Sequence, residues 1–331
     1  MHRTFNAVAA AVLLAAVGPS AAVAPATIDC GRVLGVSRTI EIDTHGGVLV
    51  GAQYVDTDKG LLADREVVLT FDDGPFGANT RSILDSLDRE CAKATFFSVG
   101  RMALAYPGVL KEVAARGHTI GGHTLSHANL GRGGLGRAEA EIERGFSALA
   151  HALGAPVAPL FRFPYLSDPR AVRDYLGRRD VAVVGIDVDS FDTRTLSSAR
   201  IADNIMQGLA RHGRGVVLMH DLKVGTAKAL PEILRRLRQG GYRLVHLRAR
   251  SSVITQAASD ASIVELTAKR AKPSIKTTPV ARPRVEKVSA VIVRHRKKPD
   301  ARALIKVKGR KARRLRKAEV PPDMVTRMVT K

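Results

Sequence analysis

Residues 65–75 read REVVLTFDDGP, an apolar run that ends on two adjacent acids, Asp72 and Asp73, and a Gly74-Pro75 turn. The run REVVLTF is rich in β-branched and apolar residues, which predicts a buried strand. Taken alone, DDGP is turn composition, because Asp and Gly-Pro favour turns for backbone reasons. The sequence around it decides whether these acids are a solvated turn or a site at a strand end.

Outward from this stretch the same kind of run recurs: KATFFSV (93–99), HTIGGH (118–123), APLFRFP (158–164), VAVVGIDV (181–188), GVVLMHD (215–221) and YRLVHL (242–247). Helix-period segments lie between them. In NTRSILDSLDRE (79–90), Asn79 is placed to cap a helix with Ile83, Leu84 and Leu87 on one face. AEAEIERGFSALAHALG (138–154) and SSARIADNIMQGLARHG (197–213) each end at a glycine stop signal. Strands alternating with helices predict an α/β fold with a parallel sheet, open or closed into a barrel. Sites in such folds gather at the carboxyl ends of the strands.

Both ends of the 331-residue chain differ from this middle. His2 and Arg3 precede a small-apolar run, Ala7 to Val17, then Gly-Pro and SAAVAPA. That is the layout of a signal peptide over residues 1–26, with cleavage after Ala22, Ala24 or Ala26, and it predicts an exported protein, periplasmic or secreted. Residues 27–64 read as an amino-terminal extension and 65–250 as the domain. The net charge is +22, and residues 251–331 hold 22 basic against 6 acidic side chains. This segment reads as a basic, low-complexity, disordered tail, suited to electrostatic contact with anionic envelope polymer or a membrane surface. Its lack of aromatic residues disfavours nucleic acid. Cys30 and Cys91 either pair in an oxidising compartment or stay as buried thiols; the sequence leaves both open.

Five polar clusters fall at predicted strand ends. After Asp72 and Asp73 comes GGHTLSHANL (121–130), where His123 and His127 sit four apart. One helical turn there would put both imidazoles on one face, and with a carboxylate they make a two-histidine metal triad that suits zinc or another first-row divalent ion. LFRFPYL carries Arg162 and Tyr165; an arginine in that place can hold a carboxylate ionised and oriented. GIDVDSFDTRT crowds Asp187, Asp189 and Asp192 together, and VVLMHDL ends on His220.

In this order, TFDDGP, HTLSH, RFPY, DSFD and LMH resemble the five motifs of the polysaccharide deacetylases, the NodB-homology or carbohydrate esterase family 4 group. The resemblance covers roughly Arg65 to Leu247. It implies a distorted (β/α) barrel of the NodB-homology type and metal-dependent removal of N-acetyl groups from a hexosamine-containing glycan, whether chitin-like, peptidoglycan or exopolysaccharide. It implies Asp73, His123 and His127 as metal ligands and Asp72 as the base, held by Arg162. Tyr165 would offer its backbone N–H to the oxyanion, His220 would be the acid, Asp192 would hold His220 protonated, and Leu218 would line the acetyl pocket. One departure is Thr193, where the family usually has tryptophan; this chain has none, which leaves Phe191 as a replacement surface and Asp187 or Asp189 as alternatives to Asp192. The same residues also admit an O-acetyl esterase on xylan-like polymers, a weak glycan-binding protein, or a non-haem iron oxygenase.

Overall fold

In the computed structural model, which describes residues 29–51 and 60–271, the run that ends on Asp72 is the central strand β3, Glu66–Asp72, buried along its whole length. The signal-peptide stretch and the basic segment beyond residue 271 lie outside the described residues. Chain order before β3 is β1 (Arg38–Ile42) and β2 (Leu49–Val50). After it come α1 (Gly77–Arg89), β4 (Thr95–Ser98), α2 (Gly100–Ala105), α3 (Pro107–Ala115) and β5 (Thr119–Gly122). Then follow α4 (Leu135–Leu153), β6 (Leu160–Phe161), α5 (Arg170–Arg178), β7 (Ala182–Val184) and β8 (Val188–Asp189). The described chain closes with α6 (Ser198–His212), β9 (Gly215–His220), α7 (Val224–Gln239), β10 (Arg243–Ala249) and α8 (Ala257–Ala271).

The strands pair in parallel in the order β8-β9-β3-β4-β5-β6-β7-β2, with β10 joining the start of β3 and β1 joining β10. This is the expected α/β architecture, a distorted barrel. Alternation along β3 sorts the core into two layers. Leu69 and Phe71 pack outward under the helices with Ile83, Leu84 and Leu87 of α1. Val68 packs inward with Phe97, Leu160, Val184 and Val216.

Several boundaries differ from the sequence reading. The extension 27–64 contributes two strands of the sheet: β1 pairs with β10 and β2 with β7. It is also tied to the end of α1 by a Cys30–Cys91 disulfide. The tail does not begin at residue 251. Residues 257–271 form α8, because Ile263 supplies an apolar anchor that packs on Leu125 and on Ala148 of α4. Asn79 does not cap α1: the helix starts two residues earlier, and the Asn79 amide donates to the Leu222 carbonyl, 2.8 Å. The run VAVVGIDV is split into β7 and β8, since the carbonyls of Val184 and Gly185 accept hydrogen bonds from the Arg162 side chain.

At the amino-terminal ends of the strands, β10 leaves β3 and runs past the starts of β4 and β5, where the Leu247 carbonyl accepts from Thr119 Oγ at 2.7 Å. Two histidines are buried in this end. His118 Nδ1 accepts from the Ala94 N–H, and His246 Nε2 lies 2.9 Å from Thr119 Oγ. Burial, aided by Lys93 and neighbouring cations, pushes His118 down to about 3 and His246 to about 4. Below pH 6.5 the unfolded chain binds protons that the folded chain refuses, so stability falls as pH drops from 6.5 toward those values. We expect a loss on the order of 3 kcal/mol for each histidine by pH 4. Urea unfolding at a series of pH values checks this. His118→Gln should flatten the slope between pH 6.5 and 4, and an unchanged slope would place the acid sensitivity elsewhere.

Candidate active site

Adjacent residues on a strand point to opposite faces, so Asp72 and Asp73 would not share a cavity if β3 simply continued. Asp73 instead takes a left-handed conformation, φ 76°, just past the strand end. Both carboxylates therefore face the same space, at different depths. Asp72 is buried in the barrel wall, and the guanidinium of Arg162 donates to its Oδ1 at 2.8 Å. Its Oδ2 lies 4.0 Å from His123 Nε2. Asp73 faces the histidines, with Oδ1 at 3.5 Å from His123 Nε2 and 3.2 Å from His127 Nε2.

The two histidines meet without the expected helical turn. His123 follows β5, and residues 124–126 form a tight turn in which Thr124 has φ 64°, leading to His127 at φ 59°. The turn folds the second imidazole back to 5.0 Å from the first, centroid to centroid. His123 Nδ1 donates to the Arg162 carbonyl at 2.7 Å, which fixes the tautomer and leaves Nε2 as a lone pair facing Asp73. Burial, with the neighbouring His123 adding to it, lowers His127 below the usual imidazole range. Carboxylate Oδ1 of Asp73 is buried with no hydrogen-bond partner, and the Nε2 atoms of both imidazoles crowd it, at 3.5 Å and 3.2 Å. A cation between them resolves the conflict: the three ligand atoms lie within 4.8 Å of one another, and the donor set of two nitrogens and one carboxylate oxygen fits a divalent transition metal.

Arg162 is fully buried, yet every arm is used. Nε donates to Val184 O (3.0 Å), Nη2 to Gly185 O (2.9 Å), and Nη1 to both Thr70 Oγ (2.6 Å) and Asp72 Oδ1. The plane lies over Phe97 at 4.3 Å, a cation–π contact. Tyr165, in the short turn Pro164–Leu166, is 67% exposed, and its ring meets the His127 ring edge-on at 4.6 Å. Across the site His220 ends β9, in register with Asp72 on β3. Its Nδ1 is 2.7 Å from Asp192 Oδ1, while Asp192 Oδ2 accepts from the His220 N–H (2.8 Å) and Thr226 Oγ (2.5 Å). Leu218, two residues back on the same face of β9, is buried below His220.

The chain that brings these residues together is similar to known proteins. A model of the family described as polysaccharide deacetylase matches residues 59–184. A peptidoglycan-N-acetylglucosamine deacetylase of Bacillus cereus is 34% identical over 200 residues, 59% of this chain and 71% of its own. The chain belongs to the polysaccharide deacetylase family. A chitooligosaccharide deacetylase of Azorhizobium caulinodans is 30% identical over 155 residues, 47% of this chain and 73% of its own. Among solved structures, a peptidoglycan deacetylase of Bdellovibrio bacteriovorus aligns with TM-score 0.59 and 34% identity, over 66% of this chain and 61% of that one.

The family match ends before Asp192 and His220, so in this deacetylase their pairing is read from geometry. Asp192 is the partner of His220; Asp187 Oδ2 accepts from the Val216 N–H and Asp189 Oδ1 from the Phe191 N–H. Thr193 is exposed, and the Phe191 ring faces the Arg194 guanidinium at 4.9 Å. One residue of the site escaped the sequence reading. Asp221 lies buried beneath the TFDDGP turn, where Thr80 Oγ donates to it at 2.7 Å. Its carboxyl presses on Gly74 so closely that a β-carbon there would fall 2.0 Å from both oxygens, which is why the turn requires glycine. Burial raises Asp221 to about 7, with the Asp73 charge adding to the rise. The signal was its place directly after His220 in LMHD.

The deacetylase's candidate acid has the proton affinity its role needs. Burial works against the imidazolium of His220, but the Asp192 hydrogen bond and the Asp192, Asp72 and Asp73 charges outweigh it and raise His220 to about 9. A bound divalent ion would pull this value back toward neutrality. We expect Asp192→Asn to shift the alkaline limb of the kcat–pH profile downward by more than about one unit and to lower kcat tenfold or more. An unmoved alkaline limb would remove Asp192 from this role.

Proposed function

We propose that the protein hydrolyses N-acetyl groups of N-acetylhexosamine residues in a polysaccharide or oligosaccharide, with the chain's own residues dividing the work. The observation that carries this is the split of two neighbouring carboxylates, Asp73 set against His123 and His127 and Asp72 against Arg162. A divalent ion held by Asp73, His123 and His127, zinc in our reading, would supply Lewis acidity that acidifies water from about 16 to about 7 and polarises the acetyl carbonyl. Asp72, oriented by Arg162, takes a proton from the attacking water as its oxygen bonds to the acetyl carbon. The backbone N–H of Tyr165 donates to the carbonyl oxygen as negative charge develops there. His220 gives its proton to the nitrogen as the carbon–nitrogen bond breaks, so that acetate and the free amine leave. Leu218, on the cavity face of β9, lines the place of the acetyl methyl group.

Relatives named for peptidoglycan and for chitooligosaccharide support a glycan rich in N-acetylglucosamine as substrate. The signal-peptide layout of residues 1–26 supports export to the periplasm or beyond, where such glycans are found.

Deacetylation of a panel of acetylated chito-oligomers, peptidoglycan fragments and acetylated xylan by the metal-loaded mature protein tests the reading. Acetate release confined to xylan would overturn it in favour of an O-acetyl esterase. Asp72→Asn is expected to keep its metal and lose at least about a hundredfold in kcat, whereas His123→Ala loses the metal itself. Normal turnover by Asp72→Asn would show that the base lies elsewhere. For the basic segment, deletion of residues 272–331 should leave turnover of short neutral oligomers unchanged and reduce retention on anionic polymer at low salt. Equal retention with and without it would remove the electrostatic tether.

A further inference from the structure

The two histidines of the triad are placed by different means. His123 is anchored through its own atoms: its N–H donates to Ser98 O (3.1 Å) and its Nδ1 to Arg162 O. His127 stands at the far end of a turn containing two left-handed residues, Thr124 and His127. Such conformations cost a β-carbon-bearing residue roughly 1 kcal/mol or more each, so the backbone must be held from outside.

The holding groups converge on residues 124–126. The N–H groups of Gly100 and Arg101 donate to the carbonyls of Thr124 and Leu125, each at 2.9 Å. From the other side α4 supplies Glu141. Its backbone carbonyl accepts from the Leu125 N–H at 2.9 Å. Its carboxylate accepts from the Ser126 N–H at 2.9 Å, and both its oxygens lie 2.9 Å from Ser126 Oγ. Gly145, one turn further along α4, lets the helix lie on the turn: a β-carbon there would fall 2.7 Å from the Thr124 carbonyl carbon. Leu125 is buried beneath Ile263 of α8, which closes the turn on its outer side.

We propose that Glu141 is a positioning residue for His127, setting metal affinity through the Ser126 backbone and hydroxyl; this rests on the reading of Asp73, His123 and His127 as a metal site. Among the described residues no lysine or arginine forms an ion pair with Glu141. Its carboxylate hydrogen bonds go to Ser126, in the segment before the ligand. Glu143, two residues on, is the natural contrast. It is buried on the same helix but serves Tyr175 Oη (2.7 Å) and Arg179 Nε (2.8 Å), away from the turn. Groups that orient a metal ligand from outside typically change affinity 10–100-fold when removed.

Chelator competition gives the zinc dissociation constant of the full mature chain, and thermal melting of the metal-free protein gives its stability. Glu141→Ala is expected to raise the zinc dissociation constant about tenfold, with Ser126→Ala moving it the same way and Glu141→Gln, which keeps one acceptor oxygen, less far. Glu143→Ala should lower the melting temperature and leave zinc affinity unchanged. Wild-type zinc affinity in Glu141→Ala overturns the proposal, and so does an equal loss of affinity in Glu143→Ala. A wild type that binds no zinc would instead overturn the metal reading beneath it.

Discussion

The buried guanidinium of Arg162 is the constraint on which the rest depends. A charge at 0% exposure survives only if it is paired and hydrogen-bonded, and Arg162 meets that demand with one carboxylate, one hydroxyl, two backbone carbonyls and an aromatic face. Each partner is fixed in return. Asp72 is oriented with one oxygen turned away from the arginine, and β7 and β8 are separated where their carbonyls turn toward it. The same residue's backbone carbonyl sets the tautomer of His123. One residue after β6 thus couples Asp72, His123 and the break in the barrel wall.

Around that centre the protein uses its carboxylates in contrasting ways. Asp73 Oδ1 is left without a hydrogen-bond partner between two imidazoles, an arrangement that suits a cation. Asp192 is saturated by three donors from His220 and Thr226, and its charge favours the imidazolium. Asp221 lies in the dark between Thr80 and Gly74, where burial favours its neutral form. Environment, more than residue type, gives each acid its task.

Strands β3 and β9 carry Asp72 and His220, while the turns after β3 and β5 carry Asp73 and His127 in left-handed conformations. Those turns are stabilised by helices: α1 through Thr80, α4 through Glu141 and Gly145, and α8 through Ile263. The outer layer therefore does more than cover the sheet. It fixes backbone shapes that the turn sequences would not hold alone.

From the sequence by itself came the alternation of strands and helices and the five polar clusters at strand ends; different tasks for Asp72 and Asp73 came only from the resemblance to the polysaccharide deacetylases. The alternation and the clusters are legible because burial imposes a period on apolar residues, and because metal ligation and proton transfer demand particular side chains at strand ends. The tertiary structure alone decided that Asp192, and not Asp187 or Asp189, holds His220, and that Cys30 and Cys91 are joined. It also decided that HTLSH is a strained turn where spacing suggested a helix, that the extension before residue 65 completes the sheet, and that residues 257–271 belong to the fold. Each of these rests on contacts between segments distant in the chain. Periodicity reports which face of an element is buried, whereas the partner that buries it is fixed only when the elements pack.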